Sequence, residues 1–129
     1  VYVKSADNLL YALTSSGGRR WTFDAKGDTY AGPTIAPDGT VYLGSSDNAL
    51  YALRPDGTQK WRFAVNAGIY TAPSLDENGN VYVASLSGTV YSLTPGGAQR
   101  WAVTVGGNVT SSIAIANNTL YFASYDRNL

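Results

Sequence analysis

The chain has 129 residues, of which 44 % are apolar and 12 % aromatic, and this is enough to bury the core of one ordinary domain. Nine basic residues balance nine acidic ones, so no positive field is present to hold the phosphates of a nucleic acid, and no apolar run is long enough for a membrane span. Cysteine and histidine are absent, which excludes disulfides, thiolate metal ligands and histidine-based catalysis.

A repeat of 40 residues runs through the sequence. Trp21, Trp61 and Trp101 are separated by 40 positions, and several tyrosines, leucines and glycines keep the same step. The other repeated sets are Tyr2, Tyr42 and Tyr82; Tyr11, Tyr51 and Tyr91; Leu13, Leu53 and Leu93; and Gly17, Gly57 and Gly97. Self-similarity at such a period indicates a repeat architecture.

Within each repeat, short apolar runs alternate with turn residues about every ten positions, which is typical of strands joined by hairpins. For the first complete unit we predict strands A, B, C and D at residues 30–35, 41–45, 50–53 and 59–64. The next unit begins with strand A at residues 70–75 and strand B at residues 81–85. The corners between them hold Gly, Asn and Asp, which tolerate positive φ.

Four short strands per 40 residues predict an all-β fold made of four-stranded antiparallel β-propeller blades. We expect about three blades in this chain, with units at about 1–29, 30–69 and 70–108 and a partial blade at 109–129. The first unit then supplies strands B, C and D, the next two supply four strands each, and the last supplies A and B. This division predicts thirteen strands in all.

Particular segments resemble the PQQ-like repeat of bacterial β-propellers. They are APDGTVYLGSSDN at 36–48 followed by ALYALRPDGTQKW at 49–61, with the variants LLYALTSSGGRRW at 9–21 and TVYSLTPGGAQRW at 89–101. That family includes quinoprotein dehydrogenases, a lipoprotein scaffold of outer-membrane protein assembly, and extracellular sensor or adhesion domains. The resemblance implies a periplasmic, cell-surface or secreted protein and a choice between a scaffold and an enzyme.

The resemblance also implies that the strand D tryptophan of each unit ties one blade to the next. Trp21, Trp61 and Trp101 take that role by position, and a buried indole supplies both apolar area and an N–H donor. The repeated Tyr11, Tyr51 and Tyr91 are interpreted as core or cross-strand neighbours that help blades to dock.

An enzyme of this family needs a quinone held over Ca²⁺, and its alcohol-oxidising branch adds a vicinal cysteine pair. This sequence departs from that pattern, since it has no Cys and its acidic residues lie mostly at hairpin corners, where Asp usually forms the turn. The turn at residues 76–80 is rich in oxygen ligands but lacks the rest of a calcium loop. We therefore predict no enzymatic activity, no cofactor and no metal.

In propellers of this family, the D–A and B–C loops crowd one rim of the central channel, and this rim carries recognition. By position, the candidate recognition residues are Lys26, Asp28, Asp47, Asn48, Asn66, Asn108 and Asp126. These loops are small and polar, without a cluster of aromatic or charged residues. They predict a modest protein-contact surface rather than a catalytic pocket.

Three blades are too few to close a ring of four to eight, so we expect the chain to self-associate into a homo-oligomer. Residues 120–129 are a second version of residues 1–10, so both segments compete for one strand B position. The sequence begins inside a predicted strand and contains no Met, which favours a piece of a longer protein. Two alternatives to a scaffold module remain: a fragment of a quinoprotein dehydrogenase, and a natural or engineered propeller fragment without independent function.

Overall fold

The computed structural model describes residues 1–125, and in this range the chain forms thirteen β-strands and no helix. The strands are β1 (Tyr2–Lys4), β2 (Leu9–Leu13), β3 (Arg19–Asp24), β4 (Thr34–Ile35), β5 (Val41–Ser45), β6 (Ala49–Leu53), β7 (Gln59–Ala64), β8 (Ser74–Leu75), β9 (Val81–Ala84), β10 (Thr89–Leu93), β11 (Gln99–Thr104), β12 (Ala114–Ala116) and β13 (Thr119–Tyr121).

The strands form four antiparallel sheets in which each strand pairs with its neighbour in sequence. The orders are β1-β2-β3, β4-β5-β6-β7, β8-β9-β10-β11 and β12-β13. The two middle sheets are therefore complete four-stranded meanders, the first holds strands B to D, and the last holds strands A and B. The predicted all-β fold class and the number of strands are confirmed for residues 1–125.

The innermost strands are shorter than the sequence predicts. Strand A was expected at residues 30–35 and 70–75, but β4 and β8 contain only the last two residues of each range. Pro33 and Pro73 stand directly before these strands, and proline has no N–H to donate to a strand ladder. The prediction was wrong for residues 30–33 and 70–73, because the proline allows pairing to begin only after it.

A register shift marks the end of each C–D pair, where the chain turns through a glycine. In the second sheet the shift lies between Ala52 and Leu53, and the turn is closed by a hydrogen bond of 2.8 Å from the Arg54 N–H to the Thr58 carbonyl. Gly57 has a φ of +88°, a conformation that side chains with a Cβ rarely adopt. Gly17 and Gly97 have the same φ in the equivalent turns.

The apolar core lies between the faces of successive sheets. Strands β5 and β6 are buried at every position, because the sheet they belong to has a neighbouring sheet on each side. The innermost strands are also tied across sheets: the Thr34 hydroxyl donates to the Pro73 carbonyl, and the Ser74 hydroxyl to the Ile113 carbonyl, both at 2.5 Å. In residues 1–125 no helix long and apolar enough to cross a membrane is found.

Candidate functional site

Trp61 joins the second sheet to the third. Its Nε1–H donates to the carbonyl of Pro95 at 2.9 Å, in the C–D turn of the next sheet. The ring also covers Gly97 of that turn so closely that an added Cβ there would lie 2.7 Å from the indole. On its own sheet the indole packs against Tyr42, with ring centroids 5.7 Å apart. The absence of a side chain at Gly97 is therefore what lets the ring lie flat on the turn.

The same contact recurs one repeat earlier. Trp21 donates to the Pro55 carbonyl at 2.9 Å, and an added Cβ at Gly57 would lie 2.6 Å from its ring. Trp101 packs against Tyr82 of its own sheet, with ring centroids 5.9 Å apart. Among residues 1–125, no carbonyl accepts a hydrogen bond from the Trp101 indole.

The three repeated tyrosines differ in their partners. Tyr51 meets Phe23 of the preceding sheet edge to face at 5.2 Å, and Tyr91 meets Phe63 in the same way at 5.7 Å. Tyr11 lies in the first sheet, and no aromatic ring of residues 1–125 packs against it. Edge-to-face pairs of this kind contribute about 0.5 to 1.5 kcal/mol beyond the area they bury.

Asp47 holds the corner between β5 and β6. Its Oδ2 accepts a hydrogen bond of 2.5 Å from the Tyr51 hydroxyl and lies 3.4 Å from Nη2 of Arg62. Burial, followed by this hydrogen bond, raises the pKa of Tyr51 above its ordinary value. In the first sheet Asp7 likewise accepts a hydrogen bond of 2.7 Å from the Tyr11 hydroxyl. The aspartate at this corner therefore holds the tyrosine of the strand that follows it.

Asn66 lies in the loop between the second and third sheets and binds the third sheet. Its Nδ2 donates to Oγ1 of Thr89 at 2.9 Å, and its Oδ1 accepts the hydroxyls of Ser85 and Ser87, both at 2.8 Å. The side-chain nitrogen and oxygen of Asn66 are therefore both hydrogen-bonded. The side chain thus fixes the loop to the next sheet.

The remaining rim residues are exposed or belong to turns. Lys26 has a φ of +61° and pairs with Asp24 at 2.7 Å, and Asn48 is an exposed turn residue with a φ of +64°. Asn108 is exposed, and its carbonyl accepts the N–H of Tyr125 at 3.0 Å. The prediction for Asp126 lies outside the described residues.

Backbone hydrogen bonds bring the two kinds of loop together on one rim. The carbonyl of Asp28 accepts the N–H of Ser46 at 2.8 Å, and the carbonyl of Gly68 accepts the N–H of Leu86 at the same distance. Each bond joins a D–A loop to the B–C loop of the sheet that follows. This arrangement gives the loops a fixed relative position.

The rim also carries an aromatic pair that the sequence reasoning missed. Tyr30 and Tyr70 stack with ring centroids 4.4 Å apart and planes tilted by only 16°. Tyr30 is 53 % exposed, its hydroxyl donates to Asp28 at 2.8 Å, and Nζ of Lys4 lies 5.4 Å above its ring. The sequence reasoning had assigned these two tyrosines to strand A, so they were not among the loop residues considered for recognition. The available signal was the 40-residue spacing of these tyrosines, each three positions before a proline that prevents strand pairing.

The oxygen-rich turn at residues 76–80 uses its carboxylate internally. Asp76 accepts the backbone N–H groups of Asn78 and Asn80 at 2.9 Å each, the Asn80 amide at 2.7 Å and the Tyr82 hydroxyl at 2.9 Å. Burial raises the pKa of Asp76, but these hydrogen bonds outweigh it and leave the pKa below its ordinary value. Over residues 1–125, no cluster of three or more acidic side chains is placed to hold a metal ion.

Successive meander sheets packed face to face, with a tryptophan lying on the next sheet, define a β-propeller built from repeated blades. A family model described as outer membrane protein assembly factor BamB matches residues 6–78 and 54–129. The chain belongs to this family, and its resemblance to PQQ-like repeat propellers is confirmed.

Solved structures share the fold. BamB from Moraxella catarrhalis superposes with a TM-score of 0.83 at 25 % identity, covering 96 % of this chain and 39 % of that protein. The WD40 propeller domain of Doa1 gives 0.81 at 18 % identity, covering 97 % and 43 %, and a protein of unknown function from Bacteroides caccae gives 0.62 at 17 %, covering 86 % and 44 %. The chain spans about two-fifths of the length of these structures. No curated protein sequence matches it.

Proposed function

We propose that the chain is a non-enzymatic propeller module that binds a protein partner through its loop rim. The observation that carries this proposal is the stack of Tyr30 on the half-buried Tyr70, in which Tyr30 is exposed. Membership of a family described as an assembly factor supports it, since such a factor acts by contact with other proteins. The proposed blade units are those expected from the sequence, at about 1–29, 30–69, 70–108 and 109–129.

The aromatic pair is suited to binding because its position is fixed before a partner arrives. The hydrogen bond from Tyr30 to Asp28 and the stacking on Tyr70 restrict the ring, so little conformational entropy is lost on binding. Tyrosine is enriched among the residues that dominate interface energies. Lys4 adds a positive charge beside the ring.

These features define the chemistry of the partner. An extended protein segment with an apolar or aromatic side chain fits the face of Tyr30, and an acidic residue beside it fits Lys4. The D–A and B–C loops around the pair, with Asp28 and Asn66, supply the polar border of such a contact. We place this activity outside the cytoplasm, in line with the outer-membrane role in the family's description.

We also propose that the chain self-associates. Apolar side chains remain exposed on the first and the third sheet, as Val3 at 44 % and Val103 at 54 % show. Covering such surface is favourable in water.

The rim is tested with random peptides displayed on phage and selected on the purified chain. Affinities of the enriched peptides are then measured for the wild type and for Tyr30→Ala, which we expect to weaken binding at least about tenfold. Tyr30→Phe keeps the ring and is expected to retain most of the affinity. Tyr121→Ala removes a tyrosine of similar exposure, 56 %, on the outer side of the last sheet and serves as the second control. Peptides that bind Tyr30→Ala as tightly as the wild type refute the rim assignment.

A further inference from the structure

We propose that a cleft between the second and third sheets binds an arginine side chain of a protein partner. The cleft has a volume of about 340 Å³ and lies between two complete four-stranded sheets. It is on the face that carries the A–B and C–D turns, opposite the rim, because the chain reverses direction at every turn of an antiparallel meander. Arginine binding at this face is independent of the rim proposed above.

The cleft combines apolar surface with an acidic border. The apolar surface is supplied by Pro37, Leu75 and Pro95. Three carboxylates also line the cleft, those of Asp38, Asp76 and Glu77. In the described part of the chain, no Lys or Arg side chain lines it. A ligand with an apolar stem and a positive end therefore complements this cleft.

Tyr42 contributes a buried hydroxyl that has no partner in the protein. The residue is 1 % exposed, lines the cleft and packs against Trp61. Within residues 1–125, no group forms a hydrogen bond with its hydroxyl. Burial, followed by the negative charge of Asp38, raises the pKa of Tyr42 above its ordinary value. The hydroxyl is therefore protonated at neutral pH and can both donate and accept a hydrogen bond.

In the third sheet, the equivalent hydroxyl lies between an arginine and a carboxylate. Tyr82 follows Tyr42 by 40 residues. Its hydroxyl donates to Oδ2 of Asp76 at 2.9 Å and accepts a hydrogen bond of 3.4 Å from Nη1 of Arg100. The tyrosine hydroxyl at this position of the repeat thus accommodates a guanidinium.

The second sheet lacks both of these partners. Forty residues before them stand Ala36 and Lys60. Ala36 has no acceptor in its side chain, and Lys60 donates to Oγ1 of Thr40 at 3.4 Å. A guanidinium from a partner therefore restores at Tyr42 the contact that the third sheet makes within itself.

Two carboxylates are available to the same guanidinium. The side chain of Asp38 is 61 % exposed, with Nζ of Lys60 3.7 Å from its Oδ2. Glu77 is exposed, and its carboxylate has no partner among residues 1–125. Exposed ion pairs of this kind contribute little by themselves. The buried hydroxyl of Tyr42 therefore decides which cation is bound.

Arginine satisfies this arrangement better than lysine does. Its planar guanidinium has five donors in a fixed geometry, so it can bind the Tyr42 hydroxyl and a carboxylate at the same time. The lysine ammonium is a compact and strongly hydrated charge. The aliphatic stem of arginine can also lie on Pro37 and Pro95.

The test is a titration of the isotope-labelled 129-residue chain with N-acetyl-arginine amide, followed by nuclear magnetic resonance. We expect saturable shifts of the amide signals of Gly39 and Gly79, which lie in the two A–B turns, and none at Gly27 on the rim. The expected dissociation constant is on the order of 1 mM. N-acetyl-lysine amide is expected to bind at least about fivefold more weakly. Equal affinity for the two probes, or no saturable shift at either A–B turn, overturns the proposal.

Tyr42→Phe removes only the hydroxyl and is expected to weaken arginine binding about fivefold. Tyr2→Phe is the matched control, because Tyr2 holds the same position of the repeat in the first sheet and does not line the cleft. It is expected to leave the affinity unchanged. Glu77→Gln removes an exposed charge and is expected to weaken binding about twofold.

Circular dichroism of each variant establishes that the sheets are retained, and the ratio of arginine to lysine affinity decides the result if Tyr42→Phe unfolds. Weaker binding by Glu77→Gln with no effect of Tyr42→Phe indicates attraction to the acidic border alone and overturns the proposal. Unchanged affinity in both variants overturns it as well. None of these results bears on the rim.

Discussion

Replacing Trp61 with Ala tests how strongly one blade depends on the next. The substitution removes the ring from the Gly97 turn, the hydrogen bond to the Pro95 carbonyl and the contact with Tyr42. Trp61 is the informative position, because it lies on a complete sheet with a complete sheet on the side it faces. The loss of stability on replacing Trp61 therefore measures the contact between two complete blades.

The magnitude follows from these contacts. A tryptophan buries roughly 150 to 250 Å², which at about 25 cal/mol per Å² is worth about 4 to 6 kcal/mol as an upper bound. Trp61 is only partly buried, which lowers that figure, while the hydrogen bond adds about 1 kcal/mol. The expected loss is about 3 to 5 kcal/mol, in the range of other large-to-small changes in cores.

The assay is urea unfolding followed by far-ultraviolet circular dichroism, since tryptophan fluorescence changes with the substitution itself. The free energy of unfolding is extrapolated to water for the wild type, Trp61→Ala and Trp61→Phe. Trp61→Phe keeps most of the ring area and loses the donor, so it is expected to cost about 1 to 2 kcal/mol. A loss below about 1 kcal/mol for Trp61→Ala would show that the indole contributes little to joining the blades.

Further substitutions and conditions extend the test. Gly97→Ala puts a Cβ 2.7 Å from the Trp61 ring, whereas at Gly79 it lies 3.3 Å from Pro95, so Gly97→Ala is expected to cost about 1 to 3 kcal/mol more than Gly79→Ala in the same urea assay. Burial raises the pKa of Asp76, but its hydrogen bonds hold the pKa below the ordinary 3.8, so its stabilisation is present above that pH and lost as pH falls through the folded pKa. In urea unfolding, the free energy of unfolding should therefore fall less between neutral and acidic pH for Asp76→Asn than for the wild type. Equal decreases would contradict this. With added quinone and Ca²⁺ the purified chain is expected to turn over neither alcohols nor aldoses, and saturable dye reduction would contradict the non-enzymatic proposal.

The fold could be predicted from the sequence because the residues that repeat are the ones that form the turns and the core. Glycines at +88° terminate the C–D pairs at the same place in each unit, and apolar runs between them give strands of the expected length. The predicted strand A was too long for a local reason. Tyr30 and Tyr70 have high strand propensity, but Pro33 and Pro73 decide where pairing starts.

The candidate site could be predicted only in part from the sequence, because it depends on which loops lie together in the fold. Sequence position places Asp47 and Asn66 at the rim, but only the structure shows that Asp47 braces Tyr51 and that Asn66 holds Ser85 of the next sheet. These are contacts between residues whose partners lie across a turn or in the neighbouring repeat. A pattern within one repeat does not contain that information.

The aromatic pair on the rim is a consequence of the same repeat that builds the core. Successive blades place equivalent residues side by side, so a tyrosine repeated once brings two rings together at 4.4 Å. In the next repeat the equivalent residue is Thr110, which cannot extend the stack. Toward the C-terminus the stack therefore ends with Tyr70. If the rim binds a partner as proposed, the change from Tyr to Thr at residue 110 limits the aromatic contact on that side of the array.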